Sequence, residues 1–199
     1  MMVTTLERMR VWTAADLLAM PDDLAHRYEL VGGRLMRMPP TGGTHGRRSM
    51  DLGAHLALHV EQHGLGAVFG AETGFNLTRS GERRVTVLAP DVAFVRTENV
   101  PLTETDDFPR VAPDLAVEIA SPSESRRRLA EKAQRYLDRG VRLVWVVWPR
   151  RRETDVWVPG SVAPRTLTAT DSLDGEAVVP RFTMPVARVC PERSHKRRH

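Results

Sequence analysis

The sequence predicts an α/β protein in which a mixed β-sheet is flanked by helices and extended by extra antiparallel strands. Short apolar segments of strand length recur along the chain, and longer stretches carry apolar residues at helical spacing. In the second half, residues 115–147 are ordered as strand, helix and strand. That order is typical of a crossover unit whose two strands lie in one sheet.

The first third of the chain predicts a short helix, a β-hairpin and a long helix. These elements cover residues 13–20, 27–38 and 44–63. The short helix has Thr13 near its start as a capping residue, and Pro21 ends it. The dipeptide Gly32-Gly33 provides the hairpin turn, and Gly64 closes the long helix.

The rest of the chain predicts mostly strands. Further strands are expected at residues 67–71, 74–77, 84–88 and 91–96, followed by a polar loop at 97–109. The crossover unit comprises a strand at 115–120, a helix at 125–139 and a strand at 143–147. The sheet is completed by an antiparallel pair at 153–158 and 164–168 and by a short last strand at 176–179.

Length and composition indicate a soluble single-domain protein. The chain has 199 residues, and we expect one domain at 1–189 and a basic, flexible tail at 190–199. No apolar run is long enough to span a membrane, and the first residues lack the apolar core of a signal peptide. The single cysteine, Cys190, excludes an internal disulfide and a cysteine zinc cluster. We therefore expect a cytoplasmic protein.

The net charge of +4 is concentrated at the C-terminus, where residues 190–199 hold four cations and one carboxylate. The rest of the chain is close to neutral, so the high isoelectric point is weak evidence for nucleic-acid binding. A basic patch formed on folding would strengthen that evidence. Its candidate members are Arg47, Arg48, Arg126, Arg127 and Arg128.

Two apolar strands carry carboxylates. Glu118 lies in the middle of its strand and shares a face with the small residues Ala116 and Ala120. A buried carboxylate is costly unless a cation meets it, either a side chain or a metal ion. Asp91 begins another apolar strand. Two carboxylates from neighbouring strands form a hard-oxygen site that suits magnesium.

The chain has two lysines, Lys132 and Lys196. Lys196 lies in the tail, so Lys132 is the only lysine in the body of the protein. Lysine differs from arginine as a compact donor with a tunable pKa. Lys132 stands about two turns into the crossover helix, which packs back across its own strand, so we expect its ammonium to reach over Glu118. Two acids, a metal ion and a lysine are the parts of a phosphodiester hydrolase.

Five segments spread over residues 13–159 carry recognisable motifs. They are RYELVGGRL, THGRRSMDLGAHL, APDVAFV, PDLAVEIASPSESRRRLAEKAQRYLDRGV and LVWVVWP. The most distinctive feature is Ser121-Pro122-Ser123 after the strand glutamate. With these segments the chain resembles the Uma (Uma-two) family of bacterial proteins, part of the PD-(D/E)XK restriction-endonuclease-like group. The resemblance implies a restriction-endonuclease-like core and a homodimeric endonuclease that acts on DNA with magnesium or manganese.

The resemblance also assigns positions in the motif. Asp91 corresponds to its strand aspartate and Glu118 to its second acid. The standard motif has a lysine two residues after that acid, where this chain has Ala120. The resemblance places the lysine on the following helix instead, at Lys132.

From these assignments we predict a role for each site residue. Asp91 and Glu118 hold the metal ion, with the backbone carbonyl of Ile119 as a third ligand. Lys132 orients or activates the attacking water. The resemblance further implies that two residues flank the pocket. They are Glu29, which would bind a second metal or tune the first, and His45, which would contact phosphate or transfer a proton.

Structural alternatives remain open for all of these residues. Glu118 alternatively pairs with a buried arginine, Asp91 caps a turn and Lys132 joins a surface ion pair. The remaining alternatives are an exposed hairpin position for Glu29 and a helix-cap position for His45.

Four other residues are expected to have structural positions instead of site roles. Asp114 shares the strand face of Glu118 but lies about 13 Å away, so we expect it at the strand entry. Tyr136 is expected in the core or the pocket wall, and Trp145 and Trp148 in sheet packing.

A second functional hypothesis also stays open. The fold would then serve as a nucleic-acid-binding or protein-interaction module with little turnover, which the near-neutral body favours.

Overall fold

The structure is a computed structural model that describes residues 10–21, 27–38, 40–101 and 106–192, without the side chain of Arg27. The predicted tail therefore lies mostly outside the described residues. Its first residue, Cys190, is buried in the core as a free thiol. Within the described ranges, no helix is both long and apolar enough to cross a membrane.

The predicted N-terminal elements are confirmed. They are helix α1 (Ala14–Leu18), the hairpin strands β1 (Arg27–Val31) and β2 (Arg34–Met38), and helix α2 (Gly43–His63). Thr13 and Asp16 form a reciprocal capping box at the start of α1. Gly64 adopts the left-handed conformation, with φ 60°, that ends α2.

In the residues that the structure describes, ten further strands, two α-helices and a 3-10 turn at Thr97–Asn99 follow. The strands of the middle region are β3 (Gly66–Gly70), β4 (Phe75–Asn76), β5 (Val87–Leu88) and β6 (Val92–Arg96). The crossover unit is β7 (Leu115–Ile119), α3 (Arg126–Asp138) and β8 (Leu143–Trp148). The C-terminal elements are β9 (Glu153–Trp157), β10 (Arg165–Thr168), β11 (Ser172–Asp174), β12 (Thr183–Pro185) and α4 (Val186–Val189).

The main sheet has six strands in the order β10-β9-β8-β7-β6-β3. Strands β7 and β8 are parallel, with Glu118 opposite Val146, and every other neighbouring pair of this sheet is antiparallel. A second sheet has the order β2-β1-β5-β4, and β11 pairs with β12. The predicted mixed sheet, the crossover unit and the antiparallel pair β9–β10 are thus confirmed.

Apolar side chains cover both faces of the main sheet, because successive residues of a strand point to opposite sides. On one face, Val117 and Trp145 pack in a cluster with Leu52 and Leu56 of α2. A second cluster on the opposite face contains residues of β6, β7, β8 and α3. Its members include Ala93, Ala116, Val144, Val146, Leu129, Ala133 and Tyr136. The predicted packing of Trp145 and Trp148 is confirmed, since both indole side chains are buried.

The predicted strand at 176–179 is wrong. These residues form a turn in which the amide groups of Val178 and Val179 both donate to the carbonyl of Gly175. The turn connects β11 to β12, two short strands that the sequence analysis did not predict. Val178 and Val179 are apolar because they fill the core from this turn.

Two predicted strands are shorter than expected because side chains interrupt their ladders. The strand at 74–77 is reduced to β4, since the side-chain oxygen of Asn76 accepts hydrogen bonds from Thr78 and starts a turn. The strand at 84–88 is reduced to β5. There the amide of Thr86 donates to the hydroxyl of Thr78 at 3.0 Å.

Two glycines at the ends of β3 provide a stability test. At Gly66, with φ 145°, an added Cβ would lie 2.1 Å from the carbonyl oxygen of Val95. We expect Gly66→Ala to lower the free energy of unfolding by about 3 kcal/mol or more, because both backbone strain and a clash must be accommodated. At Gly70 nothing lies within 4 Å. Gly70→Ala should change stability by less than about 0.5 kcal/mol. Equal denaturant midpoints for the two variants would contradict this prediction.

Candidate functional site

Glu118 and Asp91 meet at the centre of the main sheet. Glu118 lies on β7, on the face that α3 covers, and its side chain is buried. Asp91 directly precedes β6 and is also buried. The amide of Ile119 donates to Asp91 Oδ2 at 2.7 Å, and the amide of Asp91 donates to the carbonyl of Val117 at 2.9 Å. The two acids are therefore held by one stretch of backbone.

Lys132 reaches the strand glutamate from the crossover helix. Its Nζ lies 2.8 Å from Glu118 Oε1 and 2.9 Å from Glu29 Oε1. The lysine side chain is buried, so this is an interior ion pair and not a surface one. A helix that returns over its own strand can thus supply the ammonium that Ala120 cannot supply.

The two flanking residues are buried at the same site. Glu29 lies on β1 and is 6% exposed, so it is not an exposed hairpin residue. The amide of Ala89 donates to Glu29 Oε1 at 2.9 Å and fixes the carboxylate. His45 lies in the first turn of α2, with Nε2 3.0 Å from Asp91 Oδ2.

A pocket of about 260 Å³ opens onto this cluster. The structure brings together all the site residues that the sequence analysis singled out, and each of them lines the pocket. They are Glu29, His45, Asp91, Glu118, Ile119 and Lys132. The Ser121-Pro122-Ser123 segment also lines it, which places the most distinctive sequence motif at the site.

Tyr136 is a site residue whose polar role the sequence analysis missed. Its hydroxyl donates to Glu118 Oε1 at 2.8 Å, and its side chain is fully buried. A signal was present, because Tyr136 lies four residues after Lys132 and therefore on the same face of α3. Lys132 and Tyr136 both contact one oxygen of Glu118, so α3 fixes the orientation of that carboxylate.

The pKa of Glu118 is raised in this cluster. Burial is the largest cause, and the neighbouring Asp91 and Glu29 carboxylates add to it, while Lys132 opposes it. The result is a pKa of about 8, compared with an ordinary value of 4.5. A cation that binds the carboxylate would favour its ionised form.

The carboxylates also raise the pKa of Lys132. Burial by itself lowers the pKa of Lys132, but the attraction of Glu118 and Glu29 outweighs burial and raises it. Burial, followed by the same carboxylates, also raises the pKa of Tyr136. Both shifts favour the protonated forms, in which the lysine is a cation and the tyrosine is a hydrogen-bond donor.

The donor set fits a hydrated magnesium ion. Asp91 contacts the Ile119 amide and His45 through Oδ2. Glu118 contacts Lys132 and Tyr136 through Oε1. Asp91 Oδ1 and Glu118 Oε2 take no part in these contacts. In the part of the chain that the structure describes, no three His, Cys, Asp or Glu side chains form a metal-binding group. Magnesium commonly uses one or two carboxylates and keeps several waters. Two acids and a backbone carbonyl would therefore suffice.

Other charged residues near the site have structural partners. Asp114 pairs with Arg96, whose Nε lies 2.8 Å from Asp114 Oδ1, in keeping with a strand-entry position. Two members of the expected basic patch are neutralised within the chain. Arg126 pairs with Glu153 and Asp155, and Arg127 with Glu131. Arg128 lines the pocket, where its Nη2 contacts the sulfur of Met38 at 3.3 Å.

The raised pKa of Glu118 predicts how stability depends on pH. Because the folded-state pKa of about 8 exceeds the ordinary value of 4.5, the folded protein holds this proton more tightly than the unfolded chain. The resulting stabilisation is complete below about pH 4.5 and is lost as the pH rises towards 8. Glu118→Gln should flatten this slope and be more stable than wild type above pH 8, by a few kcal/mol.

The prediction is checked by denaturant unfolding of both proteins across this pH range. In the variant Lys132 keeps Glu29 as its partner, so the lysine is not left unpaired. Glu131→Gln is the matched control, because Glu131 lies on α3 with a half-exposed side chain. The control should keep the wild-type slope. An unchanged slope in Glu118→Gln would contradict the prediction.

Comparisons with known proteins relate this site to a family. The family model Uma2, described as "Putative restriction endonuclease", matches residues 14–187. A solved structure from Anabaena variabilis, described as "a putative nuclease belonging to DUF820", superposes with a TM-score of 0.74 at 16% identity. The match covers 89% of this chain and 96% of that one, and it supports the restriction-endonuclease-like fold. No curated protein matched the chain. Because the family model matches most of the length of this chain, the chain belongs to the Uma2 family.

Proposed function

We propose that the protein is a magnesium- or manganese-dependent endonuclease that hydrolyses phosphodiester bonds in DNA. The observation that carries the proposal is the convergence of Asp91, Glu118 and Lys132 in one pocket, with Lys132 Nζ 2.8 Å from Glu118. Membership of a family described as "Putative restriction endonuclease" supports the same reaction class.

Asp91, Glu118 and the backbone carbonyl of Ile119 would hold the metal ion. When bound, the ion supplies a water of lowered pKa and stabilises the charge that develops on the phosphate. The backbone bond from Ile119 keeps Asp91 oriented, and Tyr136 keeps Glu118 oriented. Both acids are thereby preorganised for an incoming cation.

Lys132 acts as a positioned cation. The Glu118 and Glu29 carboxylates raise its pKa and so favour the ammonium form, which would orient the attacking water or neutralise the phosphate. Glu29 accepts from the Ala89 amide and lies beside the ammonium, which suits a role in holding the lysine or in tuning the metal. His45 would contact the phosphate or transfer a proton next to Asp91.

The charges around the pocket bear on the substrate. Arg128 lines the pocket and its described contact is to a thioether sulfur, so its charge is available for a phosphate. The internal pairing of Arg126 and Arg127 instead favours the second candidate, a binding or interaction module with little turnover. The two candidates differ in whether the site binds metal and breaks phosphodiester bonds.

Calorimetry with magnesium and manganese, followed by incubation with supercoiled plasmid, tests the nuclease. We expect wild type to bind metal more tightly as the pH rises towards 8, because a proton competes for Glu118. Glu118→Gln should lose metal binding and nicking together, by about 100-fold or more. Lys132→Met should retain metal binding and lose nicking.

Glu131→Gln is again the control, because it removes an exposed carboxylate from the same helix. Equal nicking by wild type and Glu118→Gln would indicate a contaminant or a misplaced site. If wild type binds no metal and does not nick, the nuclease proposal fails and the binding module replaces it.

We also propose that the protein acts as a homodimer. Two copies would present two pockets and two Arg128 side chains to one DNA molecule, which compensates for the near-neutral body of each chain. Light scattering on the purified protein should give twice the chain mass of 22.3 kDa. A monomer over the whole accessible concentration range would refute this part of the proposal alone.

A further inference from the structure

A second and larger cavity adjoins the candidate site. It is a groove of about 1010 Å³ between α2 and β3, and it shares a wall with the catalytic pocket. His45, Asp91 and Tyr28 line both cavities. A ligand bound at Asp91 therefore has a continuous path into the groove.

The lining of the groove suits a flat, uncharged group. Three half-buried aromatic side chains border it, those of Tyr28, Phe69 and Phe108. Among the residues described around it there is no lysine or arginine, while two carboxylates, Glu72 and Asp91, are present. A lining without lysine or arginine among these residues does not suit a phosphate, which is bound mainly by those two side chains.

Two of the aromatic rings pack against neighbouring residues. The ring of Phe108 lies over Gly74, where an added Cβ would be 2.8 Å from it. The ring of Phe69 meets that of Phe75 edge to face, with centroids 5.5 Å apart. Ordered aromatic rings beside a polar site are typical of surfaces on which nucleobases stack.

We propose that the groove binds an unpaired nucleobase of DNA next to the phosphate at Asp91, and this inference rests on the proposed nuclease function. Phosphate would lie at the pocket, where Lys132 and Arg128 provide cations, and the adjacent base would enter the apolar groove. A base inside an intact duplex is paired and stacked on both sides, so it cannot enter a side pocket unless it leaves the stack. The substrate class is thus single-stranded DNA, or duplex DNA with an unpaired base.

Two tryptophan substitutions on α2 form a matched test. Ala54 is exposed and lines the groove, so Ala54→Trp fills it with a bulky side chain. Leu58 lies one turn further along and is 57% exposed, and it is absent from the residues described around the groove. Leu58→Trp therefore adds the same side chain outside the groove. Phe108→Ala is a third variant, which removes a stacking surface instead of filling space.

Binding is measured by fluorescence anisotropy with a fluorescein-labelled DNA oligonucleotide, single-stranded or annealed to its complement, in calcium buffer. We expect the single strand to bind more tightly than the duplex. Ala54→Trp and Phe108→Ala should each weaken single-strand binding by about 10-fold, and Leu58→Trp should match wild type. Thermal unfolding of each variant identifies any that fails to fold. If one of the groove variants, Ala54→Trp or Phe108→Ala, fails to fold, the binding result of the other tests the inference.

Equal affinity for single strand and duplex, or unchanged binding by a folded Ala54→Trp, would overturn the inference. Binding of the matching RNA strand but not of DNA would overturn the assignment to DNA. The nuclease proposal and the groove assignment can fail independently of each other. If wild type binds no metal and cleaves neither plasmid nor single-stranded DNA, yet single-strand binding depends on the groove, then the groove assignment holds and the nuclease does not.

Discussion

The buried ion pair between Lys132 and Glu118, with its 2.8 Å contact, joins three parts of the molecule. Glu118 belongs to the central strand β7, Lys132 to the crossover helix α3, and the second partner of the lysine, Glu29, to the hairpin strand β1. A carboxylate in the middle of an apolar strand is costly to bury unless a cation meets it. The helix must therefore lie where its ammonium reaches the strand, and this requirement links the packing of α3 to the chemistry of the site.

The pairing is incomplete, because one ammonium meets the two carboxylates of Glu118 and Glu29, while Asp91 contacts His45 instead. Burial raises the pKa of Glu118 to about 8, the Asp91 and Glu29 carboxylates add to this and Lys132 opposes it, so the ionised carboxylate is destabilising at neutral pH. Charge clusters that lower stability are common where a ligand binds, since the ligand supplies the missing interaction. Here a divalent cation would restore the balance. Tyr136 and the Ile119 amide hold the two acids in fixed orientations, so little reorganisation would be needed when the cation arrives.

Cations and apolar surface are separated between the two adjoining cavities. The smaller pocket contains Lys132 and Arg128, while the larger groove is bordered by aromatic rings. A nucleotide has the same division between a charged phosphate and a flat base. Asp91 and His45 line both cavities and so mark the place where the two halves of such a ligand would meet. Because Arg126 and Arg127 are paired within the chain, these two arginines would add little to a basic surface in the proposed nuclease.

Sequence alone determined the elements that depend on local patterns. The crossover unit, both long helices and the hairpin follow from apolar periodicity, caps and glycines, and the isolated Lys132 and the strand acid Glu118 were visible as anomalies of composition and pattern. Local patterns failed where side chains compete with the ladder, as at Thr78 and Thr86, and where Val178 and Val179 fill the core from a turn. Only the tertiary structure decided that Glu29 is buried, that Tyr136 donates to Glu118 and that a groove adjoins Asp91. These features depend on contacts between residues far apart in the chain, and such contacts arise only when the sheets and helices pack together.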